Sequence, residues 1–192
     1  VQGRKRADLD TDAMLRLRPA PIAGATSRGA REGLSLHRGR CCGPECSITQ
    51  RHLTITLQPA WRAALRDAGV DRPGRTAVWM RVADPVEADD LVHRCWLAYL
   101  SDDVPTDSVR RAIAQSEGIA DIDTWWQGSF AASLDHTVWF HRPVRMDQWH
   151  LFDFSCHSYV GARGVSVGHV FTTEGDHVAT VAQEVLIRRR DG

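Results

Sequence analysis

The chain has 192 residues, 43% of them apolar and 25% charged, which are the proportions of a globular protein with one domain of ordinary size. Its formal net charge is zero, so the total charge favours neither nucleic acid nor a membrane surface as a partner. No apolar run approaches the ~20 residues of a transmembrane helix, and no secretory signal is visible. Five cysteines, an odd number, in a chain of this size predict a reduced protein of the cytoplasm.

The first 70 residues are predicted to be irregular and largely disordered. Residues 1–50 carry nine Arg and Lys against five Asp and Glu, are rich in Gly, Pro and Ala, and show no sustained helix or strand period. Residues 51–70 could add a short strand and a helical turn that ends at Gly69. The sequence therefore predicts an N-terminal segment over 1–70 and a single domain over 71–192.

A regular pattern begins with the stretch TAVWMRV at 76–82, which is β-branched and aromatic enough to be a strand. A helix is predicted next. Asp84 would be its N-cap, Pro85 would take its first position, and Glu87 has the spacing of a capping box. Apolar residues at 91, 92 and 95–100 cover nearly the whole circumference of its second half, which predicts a buried helix.

The rest of the chain is predicted to be a second helix followed by four strands. The helix covers 105–118, is more exposed than the first and ends at Gly118. The strands are predicted at about 132–141, 149–159, 164–173 and 178–188. The stretch TTEGDH between the last two has the composition of a tight hairpin. This order predicts an α+β hot-dog fold, a curved antiparallel sheet wrapped around a long central helix.

Three stretches, LAYLSDD, ASLDHTVWFHRP and ARGVSVGHVFTTEGDHVATVAQE, resemble in this order the C-terminal half of acyl-CoA thioesterase II, the TesB-like family. The resemblance covers about residues 75–190. It implies the hot-dog fold and the hydrolysis of acyl-CoA thioesters to the free acid and CoA, without a cofactor. The family carries two hot-dog units in tandem, and 70 irregular residues are too few for another one. We therefore expect a homodimer through paired hot-dog domains, or else a catalytically incomplete module that binds acyl-CoA or a partner protein.

The family's active site holds a water molecule between an Asp, a Thr or Ser, and a Gln. By motif, these residues are Asp102 after LAYLS, Ser133 two positions before the Asp-His pair, and Gln183 in VAQE. The chemistry agrees, because thioester hydrolysis needs a base for the water and donors for the developing oxyanion. Asp102 also lies at the predicted C-terminus of a helix, where the dipole disfavours a carboxylate and so favours a role as base.

Asp135 and His136 form the most conspicuous polar pair of the sequence. As neighbours in a predicted strand, they point to opposite faces and cannot both contact one reactant. Asp135 shares the face of Ser133. It is predicted to be a carboxylate near the site that contacts the catalytic residues or has a structural role, without contacting the reactant. His136 and His141 are predicted to be structural.

Other motifs are weaker. Arg163 and Gly164 in GARG could place a positive charge near the CoA phosphates, or could form a bulge with an exposed Arg. The CCGPEC stretch at 41–46 lacks a second ligand pair, and the histidines at 136, 141, 150 and 157 fall on different strand faces. We therefore expect no metal site and no histidine cluster. The sequence has no G-x-S-x-G elbow of a serine hydrolase, and it lacks the histidine motif of hot-dog hydratases.

Overall fold

A computed structural model describes residues 46–48, 53–57, 72, 74–82, 85–86 and 89–189, the first two ranges as backbone and Asp123 without its side chain. These residues form one antiparallel sheet and three helices. The strands are β1 (Cys46–Ile48), β2 (Leu53–Leu57), β3 (Arg75–Val82), β4 (Ser129–Ser133), β5 (Thr137–Phe140), β6 (His150–Val160), β7 (Arg163–Thr172) and β8 (His177–Arg189). The helices are α1 (Asp90–Ser101), α2 (Pro105–Ser116) and α3 (Ile122–Gln127). The sheet order is β1-β2-β3-β6-β7-β8-β4, and β5 also pairs with β8.

The long strands β6, β7 and β8 form the middle of the sheet and agree with the predicted strands to within a few residues. The turn between β7 and β8 contains Gly175 with φ 87°, a backbone angle that glycine adopts without strain. The Gly175 N–H donates to the carbonyl oxygen of Thr172 at 3.1 Å. The hairpin predicted from TTEGDH is confirmed.

The strand predicted at 132–141 is instead two short strands, β4 and β5, which both pair with β8. Ser133 at the end of β4 lies opposite Val185, whereas Thr137 at the start of β5 lies opposite Ala182. Three residues, 134–136, therefore lie between these two paired positions on the β4–β5 side, whereas only 183 and 184 lie between them on β8. The β4–β5 side thus contains one extra residue, as in a β-bulge. The strict alternation of faces fails across residues 134–136.

Helix α1 begins later than its predicted start. Its N-cap is Asp89, whose carboxylate accepts the Val92 N–H at 3.2 Å. Pro85 lies outside the helix, which corrects its predicted place at the first helical position. Asp84 and Glu87 lie outside the described residues.

Helix α1 is buried on one side only. The buried side chains are His93, Leu97, Leu100 and Ser101. The exposed ones include Leu91, Val92, Cys95 and Tyr99. The prediction of a helix buried over its whole circumference is therefore wrong, because one apolar side of α1 faces away from the sheet.

Helix α2 packs directly on the sheet, against β3, β6, β7 and β8. Val109 and Ile113, one helical turn apart, are buried there. The buried hydroxyls of Ser108 and Ser166 are 2.7 Å apart and join α2 to β7. The sequence predicted α2 to be the more exposed helix, and in this respect it was wrong. The helix ends before Gly118, whose φ is 64°.

Two strands of the sheet lie upstream of residue 71. β2 pairs with β3, with Leu53 opposite Val82, and β1 pairs with β2. A short strand was expected within 51–70, and β2 lies in that range. The sheet thus includes part of the segment that the sequence assigned to an irregular N-terminus.

The main core fills the space between one face of the sheet and the inner side of α1. Its larger side chains are Met80, Leu97, Leu100, Met146, Phe152 and Phe154. In the part of the chain that the structure describes, no helix is both long and apolar enough to cross a bilayer. The architecture is the curved antiparallel sheet with helical packing of a hot-dog fold.

Candidate active site

Asp102 is positioned by the end of α1. It is the C-cap of the helix, and its backbone N–H donates to the Leu100 carbonyl oxygen. Its side chain is 50% exposed, so one side of the carboxylate is open to a ligand or to water. The next residue, Asp103, is also acidic. Partial burial raises the pKa of Asp103, and the nearby Asp102 carboxylate raises it further.

Ser133 and Gln183 are brought to Asp102 by the pairing of β4 with β8. The Ser133 hydroxyl donates to Asp102 Oδ1 at 3.1 Å, and Gln183 Nε2 donates to Ser133 Oγ at 2.7 Å. Gln183 is almost fully buried, with 1% exposure, which holds its amide in one place. The three residues that the sequence singled out therefore form one hydrogen-bonded chain.

His136 belongs to the same group, although the sequence predicted a purely structural residue on the opposite face. Its Nδ1 lies 2.5 Å from Gln183 Oε1 and 3.9 Å from Asp102 Oδ1. Its Nε2 lies 3.0 Å from the buried hydroxyl of Ser101. The prediction relied on strand alternation, and the extra residue within 134–136 turns His136 towards Gln183.

Asp135 contacts the backbone beside the site. Its Oδ1 accepts the Glu184 N–H at 2.7 Å, one residue after Gln183. The carbonyl oxygen of Glu184 accepts the Leu134 N–H at 2.9 Å, so both backbone groups of Glu184 are bonded to residues 134 and 135. Its predicted supporting role remains a proposal.

Arg163 and Gly164 lie at the start of β7. The Arg163 side chain is 60% exposed, with Nε 3.9 Å from Glu184 Oε1. Gly164 faces α2: a Cβ at this position would lie 2.3 Å from Val109 Cγ1. The close approach of Val109 therefore explains why residue 164 is a glycine, and a ligand contact is not needed to explain it.

Three histidines contact Thr180, one on β7, one on β8 and one directly after β5. Thr180 Oγ1 lies 2.9 Å from His141 Nε2, 3.3 Å from His169 Nδ1 and 3.1 Å from His177 Nε2. Of the four histidines that were predicted to lie apart, this group contains only His141, and the pairing of β7 with β8 brings His169 and His177 together. Among the described residues, no group of three or more His, Cys, Asp or Glu side chains has the geometry of a metal site.

Comparisons with known proteins agree with this architecture. The family model described as "Acyl-CoA thioesterase C-terminal domain" matches residues 44–187. The chain is 31% identical over 121 residues to acyl-CoA thioesterase 2 of Haemophilus influenzae, with 62% of this chain and 40% of the relative covered. It is 34% identical over 144 residues to human acyl-coenzyme A thioesterase 8, with 73% of this chain and 41% of the relative covered.

A solved structure shows the same fold. Acyl-CoA thioesterase II TesB2 from Mycobacterium marinum superposes with a TM-score of 0.60 and 32% identity, covering 85% of this chain and 60% of that one. The chain spans about 40% of the length of the two curated relatives above. The family model covers well over half of the chain, from β1 almost to the end of β8. The chain therefore belongs to the acyl-CoA thioesterase C-terminal domain family.

Proposed function

We propose that this chain hydrolyses acyl-CoA thioesters to the free acid and CoA, using a water molecule activated by Asp102, Ser133 and Gln183. One observation supports this most strongly. The three side chains are joined by hydrogen bonds although they are separated by 31 and 50 residues in sequence. They are also the residues that carry the family motif.

The reaction follows from the hydrogen-bonding capacity of each group. Asp102 accepts from Ser133 with one oxygen, and an ionised carboxylate has further lone pairs that can accept from water. As the water oxygen bonds to the thioester carbonyl carbon, Asp102 takes the water proton. The C–S bond then breaks, and the proton passes from Asp102 to the leaving thiolate. No acyl-enzyme forms, because water is the nucleophile.

Gln183 contributes hydrogen-bond donors. Its Nε2 gives one hydrogen to Ser133, and an amide nitrogen carries two. The second is available for the water or for the carbonyl oxygen as negative charge develops there. In this scheme Asp135 supports β8 beside Gln183, and Arg163 remains the proposed contact for the CoA phosphates.

We propose that a second hot-dog unit, supplied by another copy of the chain, completes the site. This end of the sheet carries large exposed apolar side chains, including Leu134 between β4 and β5 at 48% and Trp139 on β5 at 50%. A second candidate function follows from the same exposure. If no partner covers Asp102 and Ser133, the unit would bind acyl-CoA or a partner protein without catalysis.

We also propose a reducing compartment, the cytoplasm. Cys95 and Cys156 are free thiols in the part of the chain that the structure describes. Burial raises the pKa of the Cys156 thiol, against the opposing effect of its contact with the Ser158 backbone. A raised pKa leaves less of the reactive thiolate at neutral pH, which agrees with a thiol that stays reduced.

Thiol release from a panel of acyl-CoAs tests the enzymatic proposal. We expect Asp102→Asn to lower kcat by about 100-fold or more, because the amide cannot accept the water proton. The measurement compares wild type and variant at equal concentration, with folding checked by circular dichroism.

Variants of Ser133 provide a matched control. Ser133→Thr keeps the hydroxyl that the family also uses and should keep most of the activity. Ser133→Ala removes the donor to Asp102 and should lose it. Equal activity of wild type, Asp102→Asn and Ser133→Ala would refute the proposed mechanism, and no release by folded wild type would favour the binding module.

A further inference from the structure

His136 joins two parts of the candidate site that are far apart in sequence. Its ring lies between Ser101 in the last turn of α1 and Gln183 on β8. The His136 side chain is 20% exposed, so the ring has few alternative positions. The imidazole lies beside the Gln183 amide, with Nδ1 2.5 Å from Gln183 Oε1 and 3.9 Å from Asp102 Oδ1.

The donor and acceptor types fix the tautomer of the ring. Gln183 Oε1 can accept but cannot donate, so the short contact requires a hydrogen on His136 Nδ1. The tautomer of a histidine is set by the hydrogen bond that its other nitrogen makes. In the neutral ring with hydrogen on Nδ1, Nε2 is an acceptor, so the Ser101 hydroxyl donates to it at 3.0 Å in preference to the Ala98 carbonyl oxygen, which is also 3.0 Å away.

The same contact fixes the orientation of the amide. When Oε1 is held by His136, Nε2 faces Ser133 and donates to it, and the Ser133 hydrogen is free to go to Asp102. If the amide turned over, its oxygen would face Ser133 and would compete with Asp102 for that hydrogen. The site would then lose both the chain of donors and the N–H aimed at the reactant.

We propose that His136 is a positioning residue, which orients the Gln183 amide by donating from Nδ1. The inference depends on the proposed thioesterase activity. It assigns no proton transfer to His136. Its effect on the reaction passes through Gln183, and this sets it apart from a residue that stabilises the fold in general.

Kinetics of the full chain test whether His136 acts through Gln183. His136→Ala should lower kcat by about 10- to 100-fold with little change in KM, because a misplaced reacting group is costly. His136→Asn places an amide N–H near the position of Nδ1 and should recover most of the loss. The double variant His136→Ala with Gln183→Ala should be no slower than Gln183→Ala alone.

Several outcomes would overturn the proposal. Additive losses in the double variant would mean that His136 acts independently of Gln183. A His136→Asn variant that keeps a low activity but has lost one limb of the pH–rate profile would assign proton transfer to the ring. His157→Ala, which alters an exposed histidine on β6, serves as the control and should match wild type.

The tautomer can be measured without any activity. Nitrogen NMR of the histidine-labelled chain, with His136 assigned from the His136→Ala spectrum, should show hydrogen on Nδ1 when the ring is neutral at the high-pH end of a titration. A neutral ring with hydrogen on Nε2 alone would refute the inference even in an active protein. An inactive chain with hydrogen on Nδ1 would refute the proposed function, and only the hydrogen bond from His136 to the Gln183 amide would stand.

Discussion

Asp147 links the segment before α1 to the loop before β6. It accepts from Arg145 Nη2 at 2.8 Å and from the Val86 N–H at 3.2 Å. These contacts, the Arg145 hydrogen bond above all, lower the pKa of Asp147 to about 2. Since Arg145 is 54% exposed, solvent screens the pair and the net stabilisation is modest.

We expect Asp147→Asn to lower the free energy of unfolding by about 1 kcal/mol at pH 7. The folded pKa is below the unfolded value, so the ionised carboxylate stabilises the fold above about pH 4, and this stabilisation is lost as the pH falls towards 2. Urea titrations at pH 7, 4 and 2 should therefore show a difference between variant and wild type that shrinks with acid. A difference that is constant across this range would contradict the assignment.

At the scale of elements, α2 is held on the sheet by close packing. Gly164 gives Val109 the space that any side chain would fill, and Gly168 does the same for the ring of Phe154. A side-chain hydrogen bond also joins α2 to β3, because Thr76 Oγ1 donates to Asp107 Oδ2 at 2.7 Å. Because α1 and α2 are separated by three residues, the position of α2 also constrains the end of α1 and with it Asp102.

Gly164→Ala should therefore destabilise the protein by about 1 to 3 kcal/mol, because the added methyl group would force Val109 and α2 outwards. Gly128→Ala is the matched control, since a Cβ there would meet its nearest atom at 3.7 Å. Urea unfolding of both variants checks this. If both are as stable as wild type, packing against Val109 does not explain the glycine at 164.

Much of the fold and part of the site could be predicted from the sequence. Long alternating strands and the motif residues Asp102, Ser133 and Gln183 carry strong local signals, and the structure brings the three residues together. The place of His136 depends on a single extra residue opposite β8, which no local pattern shows. The sequence predicted α1 to be the more buried helix and α2 the more exposed one, and the structure shows the opposite. Composition does not reveal which helix packs on the sheet.

At the scale of the whole molecule, the β4 and β5 end of the sheet is incomplete. β4 is the last strand in the sheet order, and β5 pairs with β8 alone among the described strands. Phe130 and Phe140 are 46% and 38% exposed there, and Arg94 of α1 lies over the Phe140 ring. Exposed apolar side chains beside an open sheet edge are typical of a surface that pairs with another protein.

The full chain should therefore behave as a dimer, and Trp139→Lys should shift it towards monomer, because a charge would be buried at the interface. Light scattering after size-exclusion chromatography measures this over a range of concentrations. Val160→Lys is the control, since Val160 is 77% exposed at the distant β6–β7 turn. A wild type that remains monomeric at high concentration would exclude the homodimer.

The extra residue between β4 and β5 also indicates where this chain can vary in length. Removal of one residue from 134–136 would give β4 and β5 one continuous register on β8. Thr137 would still lie opposite Ala182, so the side chains from Thr137 to Phe140 would keep their faces. Loss of Asp135 would remove the carboxylate that accepts the Glu184 N–H, but it would not turn Trp139 to the other face of the sheet.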